Sequence, residues 1–490
     1  MAYDSIHHPV IGIDLGTTFS SVSRWDGNKP EVYCPKGEYF LPSAVYYEDG
    51  KTIVGTAAVL KGILRPENLS IGVKRLMDDD GSEVVLDGEV FTPIEISSKI
   101  LESLYENVKN MFPEGKFEAE GVVLTVPYYF RANEISNTEQ AGKLANLNII
   151  GILQEPIAAA LFYALHLSDN SIRDENIMIF DLGGGTFDLT LFNLKEGLHT
   201  VDLTTLCTGG DDRLGGLDFD KLLYDYVVKR ENIDFEGCEN VKQRETSKHK
   251  LMGQIITAKE RLGFDDIAYI QAFDVPPGSF VDAIITTEEF NECIKEYTDK
   301  IKKIIEDMLK SSNISKVQVH KVIKIGGSSK ITVIDNIINE VLGEGKTYGD
   351  VDPLLAVANG AAIYGAYLME RLGHKKKLEI KLINSHSLGV KDSFGNFVKL
   401  IPKDVVIPYE ETLVFTNAND NDTEFDIEIY QGENEKCVNN KKIGSVHIDN
   451  LIPQAKETLD IPITFTINKD QTIKVKVVQE ESGVNTEKVF

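Results

Sequence analysis

Apolar positions along this 490-residue chain fall into three regimes. In the first, short unbroken apolar runs end in glycine-rich turns. Val10 to Ile13 stops at Asp14, the turn Leu15-Gly16-Thr17-Thr18 follows, and a second run goes from Phe19 to Arg24. Runs of this length bounded by glycine predict buried strands. Broken strands continue from Glu31 to Val54, and Gly121 to Val126 is a further strand stopped by Pro127. In the second regime the period lengthens to that of helices, over Ile94 to Met111, Ala132 to Leu147 and the Ala-rich Ile157 to His166. Pro156 stands where a helix start favours proline. The strand-turn-strand pattern then returns, as Ile177 to Phe180, Asp181, the turn Leu182-Gly183-Gly184-Gly185-Thr186, and Leu189 to Leu194.

Gly215-Gly216 precedes a helix predicted over Asp218 to Lys229, and a second is predicted over Lys248 to Leu262. Val322 to Ile325 is a strand running into Gly326-Gly327-Ser328-Ser329, which opens another helix, and Asn359 to Ala366 is a small-residue helix. The third regime begins after a change of character near Leu372-Gly373-His374. Short strands alternate with turns at Gly389-Val390, Phe397 to Ile401, Thr412 to Thr416, Thr423 to Tyr430, Gly444 to Ile448, Leu459 to Ile467 and Thr472 to Val478. Such spacing predicts a small β-sandwich. The expected boundary lies at 377–386.

Composition changes the picture in three ways. The length calls for more than one folding unit. A net charge of −26 argues against nucleic-acid or anionic-membrane binding through the bulk field. Five dispersed cysteines without a CxxC read as reduced thiols, so a cytoplasmic setting is expected. The first nine residues hold no apolar signal core, and no apolar run approaches the ~18 residues of a membrane span.

The repeated loop carries the chemistry. A carboxylate at a strand end, followed by glycine and hydroxyls, suits metal-bound phosphate, because successive backbone N–H groups form an anion cradle and the carboxylate holds a hydrated divalent cation. Two copies, at Asp14 and Asp181, imply a duplicated fold closing on one nucleotide.

At this point the chain resembles the seventy-kilodalton heat-shock chaperone family, to which DnaK belongs. The likeness rests on Ile13 to Thr18, Thr125-Val-Pro-Tyr-Tyr-Phe130, Gln154-Glu-Pro-Ile-Ala-Ala-Ala160, Phe180 to Asp188, Leu214 to Asp220 and Gly326 to Lys330. In the last regime it rests on Ser387 to Val390, Val406 to Pro408, Gln431 to Glu433 and Ile443 to Ser445. Sugar kinases and actins share the loop type but not this ordered set. The resemblance implies an α/β actin-like duplicated ATPase domain of two lobes over 1–376, a linker over 377–386 and an all-β sandwich over 387–490. It implies ATP/ADP and Mg²⁺, with K⁺ as a further ion. Asp14, Glu155 and Asp181 would surround the metal. Lys74 would offset γ-phosphate charge and orient water, Thr186 would donate to the γ-phosphate, and Asp188 would help polarise the water or serve a structural hydrogen bond. Gly16, Thr17, Thr18, Phe19, Gly183, Gly184, Gly185, Gly215, Gly216, Lys259, Gly326, Gly327, Ser328 and Lys330 would complete the nucleotide contacts.

It further implies an extended-peptide groove with a pocket at Val390, Phe415, Phe425 and Ile427, arched by Ser393 and Ala418, together with a nucleotide-exchange factor as partner. Several positions depart from the family pattern. Ile256, Glu260 and Leu354 replace charged adenosine contacts, so weaker or faster-exchanging nucleotide is expected. Phe425 stands where a smaller Val is usual. The linker Leu378 to Ile383 is half charged. Ile135 and Gly151 replace the relay and J-domain-facing arginines, so altered or absent J-domain dependence is expected. No helical lid follows the sandwich in this sequence, so fast peptide release is expected. The reading is an ATP-dependent chaperone. A nucleotide-binding co-chaperone or scaffold is the alternative, and a small-molecule kinase a more distant one.

Overall fold

The computed structural model describes residues 4, 6–78, 81–166, 172–197, 200–349, 352–372, 377–469, 471–479 and 483–490. Gly373 to Lys376, which entered the boundary reading above, lie outside the described residues.

β1 (Val10–Asp14) and β2 (Phe19–Trp25) form an antiparallel hairpin with Asp14 opposite Ser21. β3 (Gly121–Val126) lies parallel to β1 on its other side, and β4 (Ile149–Gln154) parallel to β3. Every residue of β3 is buried, which accounts for its continuous apolar run. The first sheet therefore runs β4-β3-β1-β2, extended by Pro30–Val32.

The second sheet repeats this arrangement. β5 (Arg173–Leu182) and β6 (Phe187–Glu196) form an antiparallel hairpin in which Asp181 faces Asp188. β7 (Thr200–Asp211) extends it antiparallel to β6, and β8 (Lys321–Ile325) lies parallel to β5. In both sheets the strand that carries the aspartate near its end has an antiparallel partner on one side and a parallel partner on the other. Helices α1 (Glu155–His166) and α2 (Ala356–Leu368) share one apolar cluster with residues of both sheets, including Val123, Leu153, Ile177 and Ile323. Small residues at Ala158 to Ala160 and Gly360 to Ala362 let the two helices approach closely.

The segment expected as a linker is a strand. β9 (Lys377–Ile383) pairs parallel with β7, Thr200 opposite Lys377 through Thr204 opposite Lys381. Its last two residues also pair with Val406–Ile407. Leu378 and Ile383 are buried, while Lys377 and Glu379 form an exposed ion pair, so the half-charged composition is that of a strand with one wet face.

Beyond β9, two four-stranded antiparallel sheets enclose one apolar cluster. One runs β11 (Phe397–Ile401), β10 (Leu388–Lys391), β13 (Phe425–Gln431), β14 (Lys441–Ile448). The other runs β12 (Tyr409–Phe415), β15 (Ile461–Ile467), β16 (Ile473–Gln479), β17 (Val484–Val489).

Differences from the sequence reading have local causes. The helix read over Ala132 to Leu147 stops at Leu144, because Asn146 turns left-handed (φ 57°) and the Leu147 N–H bonds back to Gly142 O. The helix read from Lys248 starts at Val241, capped by Asn240, whose side chain accepts from Gln243 N–H; its first two turns are polar and carry no apolar signal. Gly326 to Ser329 leads into a 3₁₀ turn (Gly327–Lys330) before the helix Thr332–Leu342. The strand Val484–Val489, the hairpin Ile267–Phe273 with Phe280–Thr286, and the helices Thr287–Cys293 and Lys295–Ser311 were not anticipated.

Candidate functional site

The turns after β1 and β5 meet face to face. A Cβ on Gly184 would lie 2.4 Å from Thr18 Cγ2, and one on Gly185 2.6 Å from Thr17 Oγ1, so both positions exclude any side chain. This contact makes a small cleft of about 60 Å³, lined by Asp14, Gly16, Thr17, Thr18, Phe19, Lys74, Glu155, Asp181, Gly183, Gly184, Thr186, Gly326, Gly327, Pro353, Leu354 and Val357. That volume is well below the ~300 Å³ of an ordinary small-molecule site, so the loops must part to admit a nucleotide.

The cleft is crowded with carboxylates. Carboxylate oxygens of Glu155, Asp181 and Asp188 lie within 4.8 Å of one another. Asp14 opens onto the cleft but is enclosed by protein. Burial and the Glu155 charge push its carboxyl up to about 7, against the pull of Lys74 and the Thr125 hydroxyl, which donates to Oδ1 at 3.2 Å. Burial, and then Glu155, drive Asp181 and Asp188 well above the carboxylate range. Asp181 Oδ2 and both Asp188 oxygens lack a well-formed hydrogen bond among the described residues, although the backbone amides of Tyr129 and Tyr128 pull Asp188 part of the way down. Buried polar atoms without partners are costly, and a divalent cation is what this donor set fits. The cation in the cleft is Lys74, whose Nζ donates to Glu155 Oε1 at 2.5 Å, both side chains being buried.

Other expected site residues lie around the cleft rather than on its lining. Gly215 and Gly216 pack behind the second loop: Gly216 N–H donates to Gly183 O, and Ser328 Oγ and Lys259 Nζ stand next to Gly216 Cα. Lys259 is held by Gly216 O (3.1 Å) and Asp220 (2.8 Å), and Lys330 stands 3.7 Å from Asp352. Pro353, Leu354 and Val357 make an apolar stretch of the lining.

Sequence reasoning missed Arg75. Its guanidinium donates to Gly185 O (2.6 and 3.0 Å) and pairs with Asp218 (2.5 Å), tying the turn beside Lys74 to the second loop. Its position next to Lys74 was the only available signal. Pro353 and Val357 were also missed, since they lie between the motifs.

The residues expected to bind peptide share the C-terminal cluster. Val390 and Ile427 are buried in it, and Phe415 and Phe425 are half-buried against it, with the Phe415 and Phe465 rings 6.2 Å apart. Ser393 and Ala418 are exposed, the first in a turn and the second in the loop after β12.

The Hsp70 protein family model matches residues 10–489. The chaperone protein dnaK of Cyanidium caldarium is 32% identical over 507 residues, covering 97% of this chain and 79% of that protein. The chain belongs to the Hsp70 family. Hsp70 proteins are ATP-dependent chaperones that hydrolyse ATP with Mg²⁺, and this Hsp70 is an ATP hydrolase acting in that way. The family binds unfolded peptide segments and has actin-like ATPase lobes with a β-sandwich. No helix among the described residues is long and apolar enough to cross a membrane.

Proposed function

We propose that the facing loops at Asp14 and Asp181 are where this Hsp70 hydrolyses ATP. The supporting observation is the buried cluster of Asp14, Glu155, Asp181 and Asp188 around a single buried lysine. Asp14, Glu155 and Asp181 hold Mg²⁺, which neutralises phosphate charge when bound. Thr17, Thr18 and the backbone of Gly183 to Gly185 cradle the phosphates, and the Thr186 hydroxyl donates to the γ-phosphate. Lys74 leaves Glu155 to meet the γ-phosphate and the attacking water, and Asp188 accepts from that water. Gly215, Gly216, Lys259, Gly326, Gly327, Ser328 and Lys330 support the nucleoside, with Gly16 and Phe19 closing the first turn.

Residues 1–376 act as the nucleotide unit, 377–386 as the connection and 387–490 as the peptide-binding unit, with Phe415 and Phe425 the accessible members of the pocket. ATP turnover biases peptide affinity through the linked equilibria of the two units. The five free cysteines favour a reducing, cytoplasmic location. A nucleotide-exchange factor fits as partner, while J-domain dependence is reduced because Gly151 carries no cation.

Single-turnover ATP hydrolysis with and without an unfolded peptide tests this reading. Wild-type protein should be stimulated by peptide. Lys74→Ala should lose about 10²–10³-fold, the range for one charge-stabilising donor. An unchanged rate in Lys74→Ala would remove the role assigned to that residue.

A further inference from the structure

Behind the cleft lies a second, much larger cavity of about 510 Å³. It shares Thr17, Lys74 and Thr186 with the cleft, so the two volumes meet at these three side chains. From there it is lined by Arg75, Leu76, Phe130, Asp212, Arg213 and Lys441, among others, and reaches the surface where Asp212 and Arg213 are exposed. Its mouth is assembled from three separate stretches of chain: the 3₁₀ turn Val73–Leu76 and the residues after it (Leu76, Asp78), the residues that follow β7 (Asp212, Arg213), and β14 of the C-terminal sandwich (Lys441).

We propose that this cavity is the exit for inorganic phosphate, which leaves past Lys74 and Thr186 toward Arg213 and Lys441 while ADP remains on the opposite side. The proposal rests on the reading of Lys74 and Thr186 as γ-phosphate contacts. Three observations carry it. With ADP placed against Gly326, Gly327 and Leu354, the nucleotide itself stands across that side of the cleft. The back cavity begins at the residues that face the departing group and is large enough for a hydrated phosphate.

The two outer cations are only loosely committed. Lys441 stands 3.8 Å from Asp78, and the Arg213 guanidinium has no carboxylate within 4 Å among the described residues. Arg75, by contrast, is held by Gly185 O and Asp218 and serves as wall. The described lining alternates in sign, with Lys74, Arg75, Arg213 and Lys441 against Asp78, Glu134, Asp212 and Asp218. A dianion is attracted along such a path without being trapped in it. Because Lys441 belongs to the sandwich, the rate of phosphate release depends on how the sandwich sits on the rest of the protein.

The test is a single turnover of the full chain loaded with ATP and Mg²⁺, with cleavage followed by acid quench, phosphate release by a fluorescent phosphate-binding protein, and ADP release by a labelled nucleotide. Leu76→Trp narrows the cavity at a position that is already 38% exposed. Arg213→Ala with Lys441→Ala removes the outer cations without touching the cleft. Cleavage and ADP release should stay close to wild type in both, while phosphate release slows about fivefold or more, the effect of roughly 1 kcal/mol on a barrier. Phosphate appearing at the wild-type rate in both variants would overturn the exit route. Absence of cleavage in the wild-type protein would instead remove the assignment of Lys74 and Thr186, and the route with it.

Discussion

The nucleotide cleft and the seam against the C-terminal sandwich are both buried and both polar, yet they are built on opposite principles. The cleft gathers ionisable groups against their preference. Asp14 is pushed up to about 7, Asp181 and Asp188 are driven well above the carboxylate range, and one lysine stands among them. The seam instead hydrogen-bonds neutral groups across it. The Tyr128 hydroxyl donates to Ile383 O at 2.8 Å, the His386 Nε2–H to Tyr129 O at 2.8 Å, and the Ala132 N–H to the Gln431 side chain at 3.3 Å. The cleft therefore stores unfavourable energy that a ligand releases, whereas the seam is at rest as it stands. Unpartnered buried charge marks a binding site and satisfied buried dipoles mark a joint.

The largest expected effect that would break this contrast is a pH change at the seam. His386 is held near 4 instead of 6.5, by burial first and by Arg131 and Lys403 in addition, with the Tyr129 carbonyl and Glu433 pulling the other way. The folded seam binds fewer protons than the released one, so its stability is full above pH 6.5 and declines from there down to about pH 4. The total is about 3 kcal/mol. Calorimetry from pH 7.5 to 4.5 should show a steeper loss in wild type than in His386→Gln, which keeps a donor for Tyr129 O but cannot charge. Parallel curves would mean that the seam is not poised in this way.

The next effect has the opposite sign and concerns the cleft. Asp188→Asn replaces a buried carboxyl that resists ionisation and whose oxygens lack well-formed hydrogen bonds among the described residues. The metal-free protein should gain about 1–3 kcal/mol, the scale of an unsatisfied buried group, while Mg²⁺-dependent hydrolysis falls. Denaturation in chelator reads the first and ATP turnover the second. A variant that is less stable without divalent cation would show that the cluster is not frustrated.

The same contrast explains what could be read from the sequence. Both facing loops were legible as strand-turn-strand units because each is a local pattern of strand, aspartate, glycine turn and strand, and the fold pairs each pattern with itself: Asp14 opposite Ser21, Asp181 opposite Asp188. Lys74 and Glu155 were legible only through family likeness, since nothing local marks a lysine and a glutamate 81 positions apart as a 2.5 Å pair. The seam was illegible. Its bonds join residues more than 250 positions apart, two of them ending on backbone carbonyls, which leave no trace in composition. The pairing of β9 was missed for a related reason: its partner β7 lies parallel and distant in sequence.

Within the cleft itself the contrast sharpens between the ionic groups around Lys74 and the apolar stretch Pro353, Leu354 and Val357, where we propose that the nucleoside lies. Leu354→Asp should restore a polar contact and slow ADP dissociation about fivefold, worth about 1 kcal/mol. Stopped-flow release of labelled ADP reads it, and equal or faster release from the variant would mean that the apolar lining is not what limits affinity.

The smallest expected effect concerns the C-terminal cluster, where neither charge nor satisfied dipoles decide and only volume does. Phe425 opens β13 opposite Ile448 and packs, half-buried, on the same cluster as Val390 and Ile427. Its ring occupies space that a Leu-sized peptide side chain would need, and a close-packed core does not yield that space without strain. Phe425→Val opens it. Affinity for a leucine-containing extended peptide should rise about threefold, less than 1 kcal/mol, because the sandwich relaxes into part of the vacated volume. Fluorescence anisotropy with a leucine-centred peptide and its alanine-centred counterpart separates this from a general change. A gain for both peptides alike would place the effect in the backbone grip rather than in the pocket, and no gain for either would place Phe425 in the core alone.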